Sequence, residues 1–305
     1  MKRLLQPLRT TLVGGLLFLV PIVVLVIVLG KALAVVRQDH VSLALALGVS
    51  LIAATVLAQP AEEGKPKAAS LALQLHNPVA TLVSVHLEND WDFGYGNSKA
   101  MAYTASLIPV VPFSLSPDWN LITRTVVPAI YAESPLSGGS RGGLGDIVAT
   151  IYLSPDQPMR GWYWGVGPGL ILPSASDPVL GAGKWSAGPT AAVLRQDGPW
   201  TAGALTGQAW SFASTRTGAA VSTTYLQPFL SYTTKHDTTF GVDTTSQYDW
   251  EGRQSTVPLE ATIGQVLTIA RQQIELDLAG RWYAERAPGG PHWGLSLTLT
   301  FLFPK

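Results

Sequence analysis

The strongest constraint on the fold is an alternation of polar and apolar residues, which is clearest near the end of the chain. Between residues 292 and 303, small or polar side chains alternate with large apolar ones, and residues 257–267 and 273–285 repeat the pattern. Successive side chains of a β-strand point to opposite faces, so each segment predicts a strand with one polar and one apolar face. The apolar face of the last segment comprises Trp293, Leu295, Leu297, Leu299, Phe301 and Phe303.

Weaker copies of this pattern extend upstream and predict about twelve antiparallel strands between residues 81 and 305. Residues that favour turns, mainly glycine, proline, serine and aspartate, separate the segments. Twelve is an even number, as a single-chain barrel with both termini on one side requires. The strands are predicted near residues 82–93, 99–113, 119–131, 144–154, 161–172, 183–195, 199–212, 222–233, 237–247, 255–267, 271–285 and 292–303.

The alternation alone does not say which face contacts water. A soluble sandwich buries the apolar face, whereas a membrane barrel turns it to lipid and encloses the polar face. Strands of about 11–13 residues exceed the ~5–6 typical of soluble sheets and match a tilted bilayer crossing. Tryptophan and tyrosine cluster near the strand ends, at the level that indole prefers in a membrane. We therefore predict an all-β, closed antiparallel transmembrane β-barrel, with the sandwich as the alternative.

The composition excludes several functions. Lysine plus arginine and aspartate plus glutamate both number 20, so the net charge is zero and a basic nucleic-acid-binding surface is not expected. The chain has no cysteine, which excludes a disulfide scaffold, a thiolate zinc site and a cysteine nucleophile. We expect no cofactor, no metal and no nucleic-acid partner.

Two apolar runs precede the barrel and leave two interpretations open. Residues 10–30 carry no ionisable side chain and are long enough to span a bilayer of ~30 Å. A second run, residues 41–58, follows Lys31 and Arg37 and ends in small residues, as a secretory signal peptide does. Either both runs are retained helices, or the second is a signal removed after about Ala58 and the first is upstream sequence.

These patterns divide the chain into four parts. Residues 1–36 form a hydrophobic helix, from a fusion or an upstream start, and residues 37–60 form the segment that resembles a signal peptide. Residues 61–80 are a periplasmic extension or a plug, with a short mildly apolar helix near residues 68–75. Residues 81–305 form the barrel.

Charged residues on the polar face are expected in the lumen, because a charge facing lipid costs up to ~2–4 kcal/mol at the midplane. Arg124 and Asp146 lie on neighbouring predicted strands and, if both point inward, form a pair at a constriction. A second cluster of four carboxylates and one guanidinium attracts cations. For both, a structural salt bridge or a hydrated wall is the alternative. The second cluster comprises Glu260, Glu275, Asp277, Arg281 and Glu285.

The predicted inward faces of the first and last strands also carry His86 and His292. Because closure makes these strands neighbours, a histidine pair that binds a metal, or serves a hydrolase with Ser84 or Ser296, is a further hypothesis. The alternative is two polar residues of the lumen wall.

Five stretches of the barrel, together with its ending, resemble one protein family. They are residues 77–80 with 92–96, 120–124 with Pro128, 143–147, 164–168, 183–189 and the ending 301–305. These stretches are similar to those of the Gram-negative outer-membrane barrels of the phenol-degradation MetA-pathway family, some of which are mislabelled neuromedin U. Residues 1–36 lie outside this match and resemble the first helix of an inner-membrane family of unknown function.

The resemblance implies an outer-membrane barrel in a Gram-negative bacterium with a transport role. We expect passive passage of small solutes, with aromatic or hydrophobic compounds suggested by the pathway name, and no catalysis. The expected partners are the lipid bilayer, a small-molecule solute and, through the C-terminal strand, the outer-membrane assembly machinery. A structural barrel without transport and an outer-membrane hydrolase are the alternatives.

Overall fold

The computed structural model of this chain describes residues 68–96, 100–133, 139–269 and 272–304. The predictions for residues 1–36 and 37–60 lie outside the described residues, as do residues 61–67. Within the described part, no helix is both long and apolar enough to cross a membrane.

One helix precedes fourteen strands in the described residues, and the strands agree with the predicted ones to within a few residues at most ends. The helix is α1 (Ala68–Leu75). The strands are β1 (Val83–Tyr95), β2 (Ala100–Ser116), β3 (Trp119–Glu133), β4 (Ser140–Leu144), β5 (Ile147–Pro155), β6 (Trp162–Leu172), β7 (Lys184–Asp197), β8 (Trp200–Ser214), β9 (Ser222–Thr233), β10 (Thr238–Asp243), β11 (Ser246–Asp249), β12 (Gln254–Ile269), β13 (Gln272–Glu285) and β14 (Trp293–Phe303).

The sheet closes on itself as predicted. β1 pairs antiparallel with β2 on one side and with β14 on the other, where Val83 faces Phe303 and Leu87 faces Leu299. The remaining strands pair with their neighbours around the ring, and β12 pairs with β13 to complete it. The fold is therefore an all-β closed antiparallel barrel.

The prediction of twelve strands is right for the positions around the barrel, but two of these positions hold interrupted strands. β4 and β5 both pair with β3, and β10 and β11 both pair with β9 and β12. Proline explains both interruptions, because it has no N–H for the ladder. Pro228 of β9 and Pro258 of β12 flank the gap at residues 244–245. Pro128 of β3 flanks the gap at residues 145–146, and only its carbonyl bonds, to the Gly145 amide at 2.9 Å.

The two faces of the wall have the polarity of a membrane barrel. Large apolar side chains point outward and are exposed, among them Leu278 (54%), Trp282 (60%) and Leu295 (49%). Polar side chains on the opposite face are buried, including Thr201 and Thr300. A soluble sandwich would bury the leucines instead, so the alternative considered above is excluded.

The two ends of the barrel differ in the length of their connections. Short turns at residues 117–118, 156–161 and 198–199 lie at the end that carries the N-terminus of β1 and the C-terminus of β14, which we call the turn end. Longer loops, such as residues 173–183 and 215–221, lie at the other end, which we call the loop end. In outer-membrane barrels the short turns face the periplasm.

Helix α1 lies inside the barrel at the turn end. Leu71 and Ala72 pack against Leu82 and against two inward-facing wall residues, Val266 and Leu302. Burial of these apolar side chains holds the helix to the wall formed by β12 and β14.

The segment that follows α1 continues through the interior to another part of the wall. Asn77 begins a turn in which its side-chain oxygen accepts a hydrogen bond from the Val79 amide at 3.0 Å. Val79 then packs in a cluster with Ile122 of β3, Tyr152 of β5 and Leu194 of β7. We call residues 68–82 the plug segment. Leu71 and Val79 of this segment thus pack against inward-facing side chains of the wall.

Candidate functional site

The barrel encloses a cavity of about 870 Å³, bounded by the inner wall and the plug segment. Most of its polar lining consists of serine, threonine and glutamine side chains. Among the described residues, its charged lining has an excess of carboxylates. It contains Glu88, Asp243, Glu260, Glu275 and Asp277 against Arg124 and Arg281.

Arg281 lies at the centre of the most closely packed group of charges. Its guanidinium is 2.7 Å from Glu260, 3.1 Å from Asp90 and 3.6 Å from Asp92. The Tyr283 hydroxyl donates a further hydrogen bond to Asp92 at 2.8 Å. Three carboxylates therefore surround one guanidinium.

Sequence reasoning missed Asp90 and Asp92. Both lie on β1, on the same face as Ser84 and His86. Polar residues occupy the even-numbered positions of this strand, and this pattern indicates its inward face. Closure brings this face next to β14 and within reach of β13, so the sequence contained the information needed to add them to the cluster.

A second acidic group lies nearer the turn end, against the plug segment. His76 Nε2 lies 3.5 Å from Glu275 Oε1, and Glu275 is 1% exposed. Among the described residues, His76 Nε2, Glu275 Oε1 and Asp277 Oδ1 are buried and have no hydrogen-bond partner. Gly264 of β12 leaves room for them, because a Cβ there would overlap Asp277 Oδ1 and come within 3.2 Å of Glu275 Oε1.

The ionisation of His76 follows from these contacts. Burial lowers the pKa of His76, but the adjacent Glu275 carboxylate and the charge of Asp277 raise it by more, so the net shift is upward. A protonated His76 therefore binds the plug segment to β13 electrostatically.

The other candidate residues do not join these groups. Arg124 lines the cavity and, among the described residues, forms no ion pair. Asp146 does not pair with it, because Asp146 lies in the gap between β4 and β5 and accepts hydrogen bonds from the amides of Ala175 (3.1 Å) and Ala182 (2.6 Å). Asp146 thus anchors the 173–183 loop. Glu285 is exposed at the loop end of β13, outside the cavity.

The histidine-pair hypothesis is wrong. His86 faces Thr300, and its two ring nitrogens lie 3.0 Å from the hydroxyls of Ser84 and Thr300. His292 precedes β14 at the loop end, where its ring is 3.0 Å from Arg286. Within the described ranges, no three histidine, aspartate or glutamate side chains converge closely enough to hold a metal ion.

Solved structures of similar fold are outer-membrane barrels. A COG4313 outer membrane channel from Pseudomonas putida F1 aligns over 73% of this chain and 96% of its own, with 16% identity and a TM-score of 0.59. The NanC porin aligns over 72% and 100%, with 10% identity and a TM-score of 0.48. Outer membrane phospholipase A from Escherichia coli aligns over 79% and 99%, with 12% identity and a TM-score of 0.43. No protein-family model and no curated protein matches the sequence.

At this identity the first comparison establishes the fold alone. Together with the exposed apolar exterior and the closed ring, it defines the class: the chain is an outer-membrane β-barrel protein. Its location is the outer membrane of a Gram-negative bacterium, with the lipid bilayer around its apolar face.

Proposed function

We propose that this protein is a narrow outer-membrane channel through which small solutes pass without catalysis. One observation carries the proposal: an apolar, exposed wall encloses a polar cavity of about 870 Å³. A purely structural barrel does not need a cavity of this size, which is within the range of small-molecule sites. The likeness to the COG4313 outer membrane channel supports the same function.

The plug segment sets the state of this channel. It crosses the interior at the turn end and packs against β3, β5, β7, β12 and β14 through Leu71, Val79 and their neighbours. In addition, the Gln196 side chain donates a hydrogen bond to the Leu73 carbonyl at 2.7 Å. Solute passage therefore requires the plug segment to shift, and the arrangement described is the closed or narrowest state.

A reversible cross-link tests this proposal. The chain has no native cysteine, so Ala72→Cys combined with Leu302→Cys places a single pair within one apolar cluster. In liposomes, small phenols should permeate through the reduced double variant. Oxidation should bring the flux to the level of protein-free vesicles, and reduction should restore it. The two single-cysteine variants are the controls.

Two outcomes of that experiment count against the channel. If neither the wild type nor the reduced variant gives a solute flux above that of protein-free vesicles, the result would favour a structural barrel. Equal flux before and after oxidation would remove the plug segment from the permeation path. Sugars of similar size serve as the comparison that checks our expectation of aromatic or hydrophobic solutes.

A hydrolase is the second candidate, because Ser84 Oγ, His86 and Thr300 form a chain of 3.0 Å contacts. A serine next to a histidine is the core of a nucleophilic site. Here the third residue is a neutral hydroxyl instead of a carboxylate, so it stabilises an imidazolium poorly. A fluorophosphonate probe decides the question: labelling of the wild type that is lost in Ser84→Ala would support the hydrolase, and we expect no labelling.

Two finer assignments belong to this proposal. The motifs described above favour membership of the phenol-degradation MetA-pathway family. The terminal strand β14, which ends in Phe301, Leu302 and Phe303, is the segment that we expect the outer-membrane assembly machinery to recognise.

A further inference from the structure

Arg124 is a charged side chain of the cavity whose donors have no partner. It lies on β3 and lines the cavity, and among the described residues its guanidinium has no ion pair and no hydrogen bond. Its nitrogen atoms are not among the described buried atoms that lack a partner, so they are accessible from the cavity. A guanidinium stays charged in proteins and presents its N–H donors in a planar fork. Such a group is suited to bind an anion.

The acidic groups of the lumen lie on other strands and have their own cationic partners. The carboxylates around Arg281 belong to β1 and β12, and Glu275 on β13 faces His76 of the plug segment. Glu88 of β1 interacts with Arg124 electrostatically, but the described residues contain no ion pair between these two side chains. The charge of Arg124 is therefore available to a solute.

The wall around Arg124 is mostly apolar. Its cross-strand neighbours are Val110 on β2 and Thr150 on β5. Val126 and Val148, the next residues along the inward faces of β3 and β5, also line the cavity. Charge-assisted hydrogen bonds are stronger than neutral ones, and an apolar surrounding strengthens them further. An anionic group that reaches Arg124 therefore finds a strong donor with little competition from other protein groups.

Two tyrosines lie on the same side of the cavity. Tyr152 follows Thr150 on the inward face of β5, and Tyr225 of β9 interacts with both Tyr152 and Arg124. Gly207 of β8 leaves the space that the Tyr225 ring occupies, because a Cβ there would overlap this ring. Aromatic rings pack favourably against other rings, and pockets for organic molecules are lined in this way. The tyrosines therefore favour a solute with an aromatic body.

Arg124 also lies next to the contact between the plug segment and the wall. Val79 packs against Ile122, which precedes Arg124 by one inward-facing position on β3. Because β3 begins at the turn end, Arg124 is one step nearer the loop end than Ile122. A solute that enters from the loop end therefore reaches Arg124 before it reaches this contact.

We propose that Arg124 and Tyr225 form a binding subsite for small aromatic carboxylates in the lumen. The carboxylate accepts hydrogen bonds from the guanidinium fork, and the ring packs against Tyr225 and the neighbouring apolar wall. The carboxylates of the other strands oppose an anion, but salt weakens interactions at long range more than direct contact. This inference rests on the proposed channel function and names the class of solute that the channel takes.

Binding is measured first, on the purified barrel in detergent, by isothermal titration calorimetry at pH 7 and about 0.15 M salt. The probes are benzoate, benzyl alcohol, which has the ring without the charge, and acetate, which has the charge without the ring. We expect benzoate to bind at least tenfold more tightly than either of the other two. Equal affinity for benzoate and benzyl alcohol would overturn the anion subsite, and equal affinity for benzoate and acetate would overturn the role of the aromatic body.

Variants then locate the subsite. Arg124→Gln should lose the preference for benzoate over benzyl alcohol, and Arg124→Lys, which keeps the charge without the fork, should keep part of it. Tyr225→Leu should weaken both ring probes and leave their ratio unchanged. The matched control is Arg195→Gln, which removes an exposed arginine and should retain the wild-type preference.

Heat-modifiable gel mobility checks that each variant folds. A folded Arg124→Gln that still prefers benzoate would overturn the assignment. If Arg124→Gln does not fold, Arg124→Lys decides the question, because an undiminished preference in that variant would show that the guanidinium fork does not bind the carboxylate.

Flux in liposomes separates this inference from the channel function. If benzoate and benzyl alcohol permeate equally well and bind equally well, the channel stands and the anion subsite fails. If benzoate binds selectively and nothing permeates, the subsite stands and the channel fails.

Discussion

The wall formed by β12, β13, β14 and β1 differs from the wall formed by β5 to β8. In the first, β1 and β14 pair without interruption. The ladder runs from the pair Val83 and Phe303 to the pair Phe93 and Trp293. β13 and β14 pair in the same continuous way, and β12 pairs with β13 from Pro258 to Ile269, with one register shift at Val257. This continuous wall carries Arg281 and all the carboxylates that surround it.

The second wall is interrupted. Pro168 of β6 and Pro189 of β7 face each other, and β5–β6 and β7–β8 each lose part of their pairing at this level. Proline cannot donate to either ladder. Close approach of the backbones compensates, because a Cβ on Gly167 or Gly188 would overlap a carbonyl oxygen of the neighbouring strand.

The difference shows two ways of holding a barrel together. A regular ladder fixes side-chain positions, which a cluster of charges needs if three carboxylates are to share one guanidinium. Tight glycine contacts tolerate prolines but leave no room for a Cβ at Gly167 or Gly188. We therefore expect the two walls to respond to different kinds of substitution.

The largest effect is expected on the continuous wall, for Arg281→Ala. This substitution leaves three largely buried carboxylates without their cation, and breaking such a group costs ~3–5 kcal/mol when it is dry. In a lumen that contains water, we expect a loss of stability at the lower end of this range. The measurement is urea unfolding in detergent, followed by tryptophan fluorescence.

The matched control is Arg195→Ala, because Arg195 lies 3.7 Å from Asp197 and both side chains are exposed. Exposed pairs contribute ~0–1 kcal/mol. Equal unfolding midpoints for the two variants would show that the Arg281 group does not stabilise the continuous wall.

A smaller loss is expected on the interrupted wall, for Gly188→Ala. The new Cβ would overlap the Gln208 carbonyl oxygen, so the strands must separate locally. Overpacking of this kind costs ~1–3 kcal/mol. Gly280→Ala on β13 has open space and should be nearly neutral in the same unfolding assay. Similar losses for both variants would mean that close backbone contact does not hold the second wall together.

Much of the continuous wall could be predicted from the sequence, because the two-residue period fixes faces and closure fixes neighbours. The pairing of β1 with β14 follows from these two facts alone. The interruptions could not be read from the period, since Pro228 and Pro258 lie within otherwise regular alternation. The position of Asp146 could not be predicted either, because its partners, Ala175 and Ala182, belong to a loop without a periodic pattern.

A local effect is expected for Asp146→Ala at the loop end of the interrupted wall. The carboxylate accepts two backbone hydrogen bonds that hold the 173–183 loop, and hydrogen bonds to charged groups contribute ~1.5–3 kcal/mol. Hydrogen exchange of this loop should accelerate at least tenfold while the unfolding midpoint of the barrel changes little. Asp156→Asn, in an exposed turn at the opposite end, is the control. Unchanged exchange would contradict the anchoring role.

The smallest effect concerns the contact between the plug segment and the continuous wall, and it depends on pH. Glu275 and Asp277 face His76 from β13, and the titratable side chain of His86 on β1 lies nearby. Because the pKa of His76 is raised when the plug is bound, protonation favours the bound plug. The stabilisation is complete below the ordinary value of 6.5 and is lost as the pH rises through the raised value.

Solute flux through wild-type liposomes should therefore increase a few-fold when the pH rises from about 6 to about 8.5. His76→Ala should remove most of this dependence by leaving the flux high at both pH values. His236→Ala, which alters an exposed histidine in a turn at the same end, should retain the wild-type profile. An unchanged profile in His76→Ala would assign the pH dependence to the lumen carboxylates instead, and the plug segment would then be held by its apolar contacts alone.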